Sequence, residues 1–96
     1  DITYMGFSNE YMVIDMIETY YLAGAKDKAL ELSQRFMDQI FKSLEFFLEY
    51  YDQAKREFDA CYNCVSYLAE LSDYYDNTEF AGEIRGRFNA LLDIQE

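Results

Sequence analysis

This 96-residue chain has no His, no Trp and no Pro, and holds only four Gly and two Cys. Each shortage removes a class of structure or chemistry. Without His there is no nucleophile–His pair and no imidazole metal site. Without Pro, and with so little Gly, few positions interrupt a helix, so long helices are the expectation. Two Cys are too few for a disulfide scaffold. Bases are scarce as well: 8 against 19 acids leave a formal charge of −11. A phosphate backbone or an anionic lipid surface repels such a field, which points away from nucleic acid and membrane surfaces. A protein partner or self-association remains. No apolar run approaches the roughly 20 residues that a membrane span needs, so this segment is not expected to insert in a bilayer. The chain opens on Asp1 rather than Met, and is read as a fragment of a longer protein, a single helical domain over residues 1–96.

What is present argues for a packed core. Apolar residues make up 51% and aromatics 19%, with 10 Tyr and 8 Phe, too much oily surface for a disordered chain. The organising stretch is Tyr20-Tyr21-Leu22-Ala23-Gly24-Ala25-Lys26-Asp27-Lys28-Ala29. It reads as the end of one amphipathic helix, a glycine turn, and the start of a second helix folding back.

Asp1 to Phe7 shows no clear period and is expected to be an extended lead-in. Ser8 is a candidate N-cap, with Phe7 stapling against Tyr11 or Met12 one turn on. Met12, Val13, Met16, Ile17, Tyr20 and Tyr21 then recur at three- and four-residue steps, which predicts a helix from Asn9 to Ala23. Gly24 ends it, because glycine enters the left-handed cap conformation without steric cost. A second helix begins near Ala25, with Asp27 in its first turn complementing the helix dipole. Its stripe is Ala29, Leu30, Ser33, Met37, Ile40, Phe41, Leu44, Phe47 and Leu48.

Beyond Leu48 the stripe continues through Tyr51, Ala54, Phe58, Cys61, Val65, Leu68 and Tyr75, and periodicity alone permits one helix of about 50 residues. Such a rod would be about 75 Å long, against a radius of gyration near 13 Å for a compact chain of this size. A break is therefore expected within Tyr50 to Glu57. A third helix is predicted from Phe58 to Tyr75, burying Cys61, Val65, Leu68, Ala69 and Leu71. Asp76-Asn77-Thr78 is a turn in which Asn77 tolerates the left-handed conformation and Thr78 caps the next helix. That fourth helix runs from Glu79 to Asp93, with Phe80, Ala81, Ile84, Phe88, Leu91 and Leu92 inward. Gly82 and Gly86 each cost it roughly 1 kcal/mol relative to Ala, and close approach of a neighbouring helix is the expected compensation. The expected fold class is all-α, four helices as two helical hairpins.

Candidate chemistry is thin. The carboxylates spread along solvent faces, so the segment is not expected to be an enzyme, and no metal or cofactor is implied. Cys61-Tyr62-Asn63-Cys64 has redox-motif spacing, but a thioredoxin-type pair needs a strand before it and a helix N-terminus at its first Cys. Two small core residues is the plainer reading, with a redox-active dithiol domain kept as a third hypothesis. Asp73, Asp76, Asn77 and Glu79 crowd one turn, yet a calcium loop counted from Asp73 would need Gly and Glu where Thr78 and Ile84 stand. Gly82 and Gly86 form a GxxxG, but the charged Glu83, Arg85 and Arg87 argue against a membrane dimer face.

The two halves share a pattern: a helix ending in a tyrosine pair, a short turn, then a helix with Ala near its start. Ala29 and Ala81 lie 52 positions apart (81 − 29), longer than the 34 of a tetratricopeptide repeat. Tyr20, Gly24 and Ala29 match that repeat in correct mutual spacing. In the second half Ala69 and Ala81 match, while Ser72 replaces the aromatic. Val13 and Val65 stand where the pattern has Trp, and its closing Pro is absent. The chain is thus tetratricopeptide-like at most.

The run Phe7-Ser8 followed by Glu18-Thr19-Tyr20-Tyr21-Leu22-Ala23-Gly24-Ala25-Lys26-Asp27-Lys28-Ala29, with the later Leu68-Ala69-Glu70-Leu71 and Phe88-Asn89-Ala90-Leu91-Leu92, resembles the C-terminal tail of a family of large bacterial multi-spanning membrane proteins. Those resemble protein O-mannosyltransferases in their membrane half and carry tetratricopeptide-like repeats behind it. The resemblance implies a non-catalytic interaction or scaffolding module outside the membrane, on the periplasmic side, attached to a membrane-embedded and glycosyltransferase-like parent. Carrying the repeat family's concave face onto the first helix selects Tyr11, Ile14, Glu18 and Tyr21 as a protein-binding face. The competing expectation from another class is a structural oligomerisation element, one long helix pairing as a coiled coil.

Overall fold

Four α-helices account for the chain in a computed structural model that describes the backbone of residues 2–94 and the side chains of residues 11–93: α1 (Ile2–Leu22), α2 (Lys26–Glu49), α3 (Tyr51–Tyr74) and α4 (Thr78–Ile94). They pack as two hairpins laid side by side. α1 lies on α2 and on α3; α3 lies on α2 and α4; α4 touches α2 only slightly and does not meet α1 among the described residues. The Cα radius of gyration is 13.2 Å and the principal extents are 41 × 27 × 16 Å. The core is one cluster, with Ile14, Ile17, Tyr21, Ile40, Leu44, Phe47, Leu68 and Ile84 among its buried members.

The first reversal is the one that Gly24 predicts. Gly24 has φ 81°, its N–H donates to the Tyr21 carbonyl at 3.0 Å, and the Ala25 N–H donates to the Tyr20 carbonyl at 2.8 Å. These two bonds satisfy carbonyls that the end of α1 would leave unpaired. The third reversal repeats them. The Asp76 N–H donates to Asp73 at 3.1 Å and the Asn77 N–H to Ser72 at 2.7 Å, with Asp76 at φ 69°. The left-handed residue is thus Asp76, not Asn77, because it stands at the position of Gly24 in the same hydrogen-bond pattern. Aspartate enters that region more readily than most residues since its short polar side chain bonds locally. Thr78, expected as a cap, is instead the first residue of α4.

Between the hairpins the chain turns without Gly or Pro. Tyr50 leaves the helix at φ −110°, ψ 37°, and Ala54 departs again at φ −122°, ψ 26°. The Tyr50 carbonyl accepts from both the Gln53 and Ala54 N–H groups at 2.9 Å. The break falls within the predicted Tyr50–Glu57 window, and α3 starts seven residues earlier than Phe58 because helical geometry resumes at Tyr51. A single rod over α2 and α3 is therefore not formed: folding back lets their two apolar stripes cover one another.

Three further expectations change. The lead-in is helical from Ile2, since within Ile2–Phe7 only Gly6 strongly disfavours a helix. Ser8 then lies inside α1 rather than at its cap, and the Phe7 staple falls outside the described side chains. On α1 the buried line is Ile14, Ile17 and Tyr21, with Val13 and Tyr20 half-buried, whereas Met12 and Met16 face outward. A helix covered on two sides buries the line between its neighbours, and that line runs through Ile14. Third, a Cβ placed on Gly82 or Gly86 meets nothing within 4 Å, so no neighbouring helix approaches them. Gly82→Ala and Gly86→Ala are expected to stabilise the fold by up to about 1 kcal/mol each, read as a higher urea midpoint. Gly24→Ala, equally open but at φ 81°, is expected to lower it.

Two buried polar side chains are satisfied locally. The Ser33 hydroxyl donates to the Ala29 carbonyl at 2.7 Å and the Ser72 hydroxyl to Leu68 at 2.8 Å, so small polar residues fill tight helix contacts without an orphaned group.

Candidate functional site

Helix α1 carries Tyr11, Asp15, Glu18 and Leu22 on one stripe, since steps of four, three and four residues return to the same side. Tyr11 and Leu22 are well exposed and Glu18 is half-buried. On α3 the same spacing puts Asn63, Tyr67 and Tyr74 on one stripe, all exposed. The stripes adjoin: the Tyr67 hydroxyl donates to Glu18 Oε2 at 3.1 Å across the α1–α3 junction. Losing that proton would leave a phenolate against a carboxylate. The hydrogen bond to Glu18 first, then partial burial and the charges of Glu18 and Asp15, hold the Tyr67 ionisation above the ordinary tyrosine value. The result is a tyrosine-rich, acidic face spanning both hairpins.

Of the four residues that the sequence selects, Tyr11 and Glu18 lie on this face. Ile14 and Tyr21 are buried, so they support the face from beneath. Tyr67 and Tyr74 are absent from that selection. The 52-residue offset finds them, because it places Tyr67 opposite Asp15 and Tyr74 opposite Leu22.

Tyr21 has a different task. Its ring stacks on Tyr75 with centroids 4.5 Å apart and planes 4° from parallel, and its hydroxyl accepts from Asn77 Nδ2 at 2.6 Å. Lys26 Nζ reaches the Asp76 carbonyl at 3.5 Å. The first and third turns are thereby tied together at one end of the molecule, which fixes the relative position of α1 and α3.

The other chemistries find their groups occupied elsewhere. Cys61 and Cys64 are both buried and not joined by a disulfide, and Cys61 lies well inside α3 rather than at its N-terminus, where the dipole would activate a thiolate. Asp73 pairs with Arg85 at 2.7 Å, and the Asn77 amide is committed to Tyr21. No group of three metal-ligating side chains occurs among the described residues. Arg87 bonds Asp38 at 2.8 Å and lies 4.7 Å from the Phe41 ring centroid, so this base joins α4 to α2. Among the described residues no helix is long and apolar enough to cross a membrane.

No family model matches this sequence, and neither a curated protein nor a solved structure matches it.

Proposed function

We propose that this chain is a non-catalytic docking module of tetratricopeptide-like hairpins, which holds a protein segment on the face shared by α1 and α3. The observation that carries this reading is the stripe of Tyr11, Glu18 and Tyr67, exposed or half-exposed, with Tyr67 hydrogen-bonded to Glu18 across the α1–α3 junction. Tyrosine offers large contact area and a hydroxyl at low entropy cost, and it is enriched where binding energy concentrates. The order of packing supports the repeat-like part: the first helix of each hairpin touches the other first helix, while the second helices hardly meet. With a net charge of −11, the favoured occupant is a basic segment. The sequence resemblance to membrane-protein tails sets the context we propose, an extramembrane tail on the periplasmic side of a bacterial membrane protein with a glycosyltransferase-like membrane half.

Panning a random peptide library against the chain tests the reading. Enriched peptides are expected to be rich in Lys and Arg, with affinity falling as salt rises from about 0.05 to 0.5 M. Tyr11→Ala with Tyr67→Ala is expected to weaken them tenfold or more, about 1.4 kcal/mol, with helical circular dichroism unchanged. Enrichment no better than against an unrelated acidic helical bundle, or peptides indifferent to both substitutions, would overturn it.

A further inference from the structure

The 52-residue offset equates whole helices, not only turns: α1 with α3, and α2 with α4. At four equivalent pairs the outer helix is the more exposed. On α2, Phe36 is 4% and Ile40 1% exposed; their counterparts on α4 are the half-buried Phe88 and Leu92, 38% exposed. On α3, Cys64 is 2% and Leu68 1% exposed; their counterparts on α1 are Met12 at 61% and Met16 at 49%. α2 and α3 each pack against all three other helices, whereas among the described residues α1 and α4 do not meet one another. Between α3 and α4 this leaves a groove of roughly 310 Å³, lined by Tyr62, Val65, Ser66, Ala69, Ile84 and Phe88 among others. The equivalent groove, between α1 and α2, is the one α3 fills.

We propose that a second copy of this chain fills the open groove, its α1 seated between α3 and α4 with Met12 and Met16 inward, as α3 is seated on the first hairpin. The occupant is a second copy because both halves of the junction are on one molecule, the ridge on α1 and the groove beside α4. These two helices do not touch among the described residues, so the halves lie on separate surfaces. The way α3 packs on the first hairpin is the pattern for this seat. Such a contact is head-to-tail and open-ended. It uses a different surface from the α1–α3 face, so it stands or falls independently of peptide binding. Its salt dependence is also opposite. Each copy carries −11, and repulsion between copies is screened as the Debye length falls from about 10 Å at 0.1 M toward 3 Å at 1 M, while apolar contact is not weakened.

Sedimentation velocity of the wild-type chain at about 0.05 and 0.5 M NaCl over a hundredfold concentration range provides the test. Average mass is expected to rise with concentration and to rise more at high salt. A ridge variant, Met12→Glu with Met16→Glu, and a groove variant, Ser66→Arg with Asn89→Lys, are each expected to associate at least tenfold more weakly. These positions are exposed or half-exposed, and circular dichroism verifies that both variants stay folded. Mixed together, the two should form a 1:1 dimer that grows no further, because each retains one intact half of the junction. A wild-type chain that stays monomeric at the higher salt overturns the proposal. So does a groove variant that associates as well as wild type, or a mixture that stays monomeric.

Discussion

Replacing Tyr21 by Ala is expected to lower the unfolding free energy by about 3–5 kcal/mol, the range for truncating a buried aromatic. The residue is 5% exposed, and three interactions meet on it. Its ring fills core space, it stacks on Tyr75, and its hydroxyl takes the Asn77 amide proton. Tyr21→Phe keeps the first two and removes the third, so a loss of about 1 kcal/mol is expected. The contrast separates ring from hydroxyl, and urea unfolding followed by circular dichroism reads both. If Tyr21→Ala cost less than Tyr21→Phe is expected to cost, the two turns would not be held together through this ring.

The second large effect is at Phe47, 2% exposed near the end of α2. Phe47→Ala is expected to cost about 3–5 kcal/mol. Its ring meets Phe46 edge-on at 5.7 Å, Phe46 meets Tyr50 at 5.1 Å, and Tyr51 meets Phe58 at 5.6 Å. These aromatics flank the reversal that has neither Gly nor Pro. Nothing in the local backbone chemistry compels the chain to turn there, so burial of the two stripes is what favours the hairpin over a rod. Small-angle scattering at rising urea checks this. The Phe47→Ala chain is expected to expand beyond the native 13.2 Å radius of gyration at a lower urea concentration than wild type. An unchanged midpoint would show that the reversal does not depend on this packing.

How much of the molecule is legible in its residues depends on whether a residue type or a neighbour decides the outcome. Gly24 is legible because only one residue type takes its conformation cheaply. The turn after α3 is legible in place but not in detail. Asn77 and Asp76 both tolerate the left-handed region, and hydrogen bonds counted from Ser72 choose Asp76. The break at Tyr50 can be bracketed only by the implausible length of an unbroken helix. On α1 a 3.6-residue period allows two adjacent apolar lines, and only the positions of α2 and α3 decide that Ile14 is covered and Met16 is not. The same ambiguity divides the candidate face. Tyr11 and Glu18 lie on it, while Ile14 and Tyr21 go to the core, and Tyr67 and Tyr74 are reachable only by carrying the offset into the second half. The glycines at 82 and 86 suggest tight packing by their spacing; they face open space, so their presence in α4 has no structural account.

Because α1 and α4 do not meet among the described residues, the two hairpins lie side by side with α1 and α4 as the outermost pair. Two hairpins packed side by side leave an edge at each end. Another hairpin added at either edge would lengthen one continuous core instead of founding a second, and would do so without rerouting any connection already made. Addition of hairpins therefore meets no topological barrier in this architecture, and the first and third turns already share one hydrogen-bond pattern.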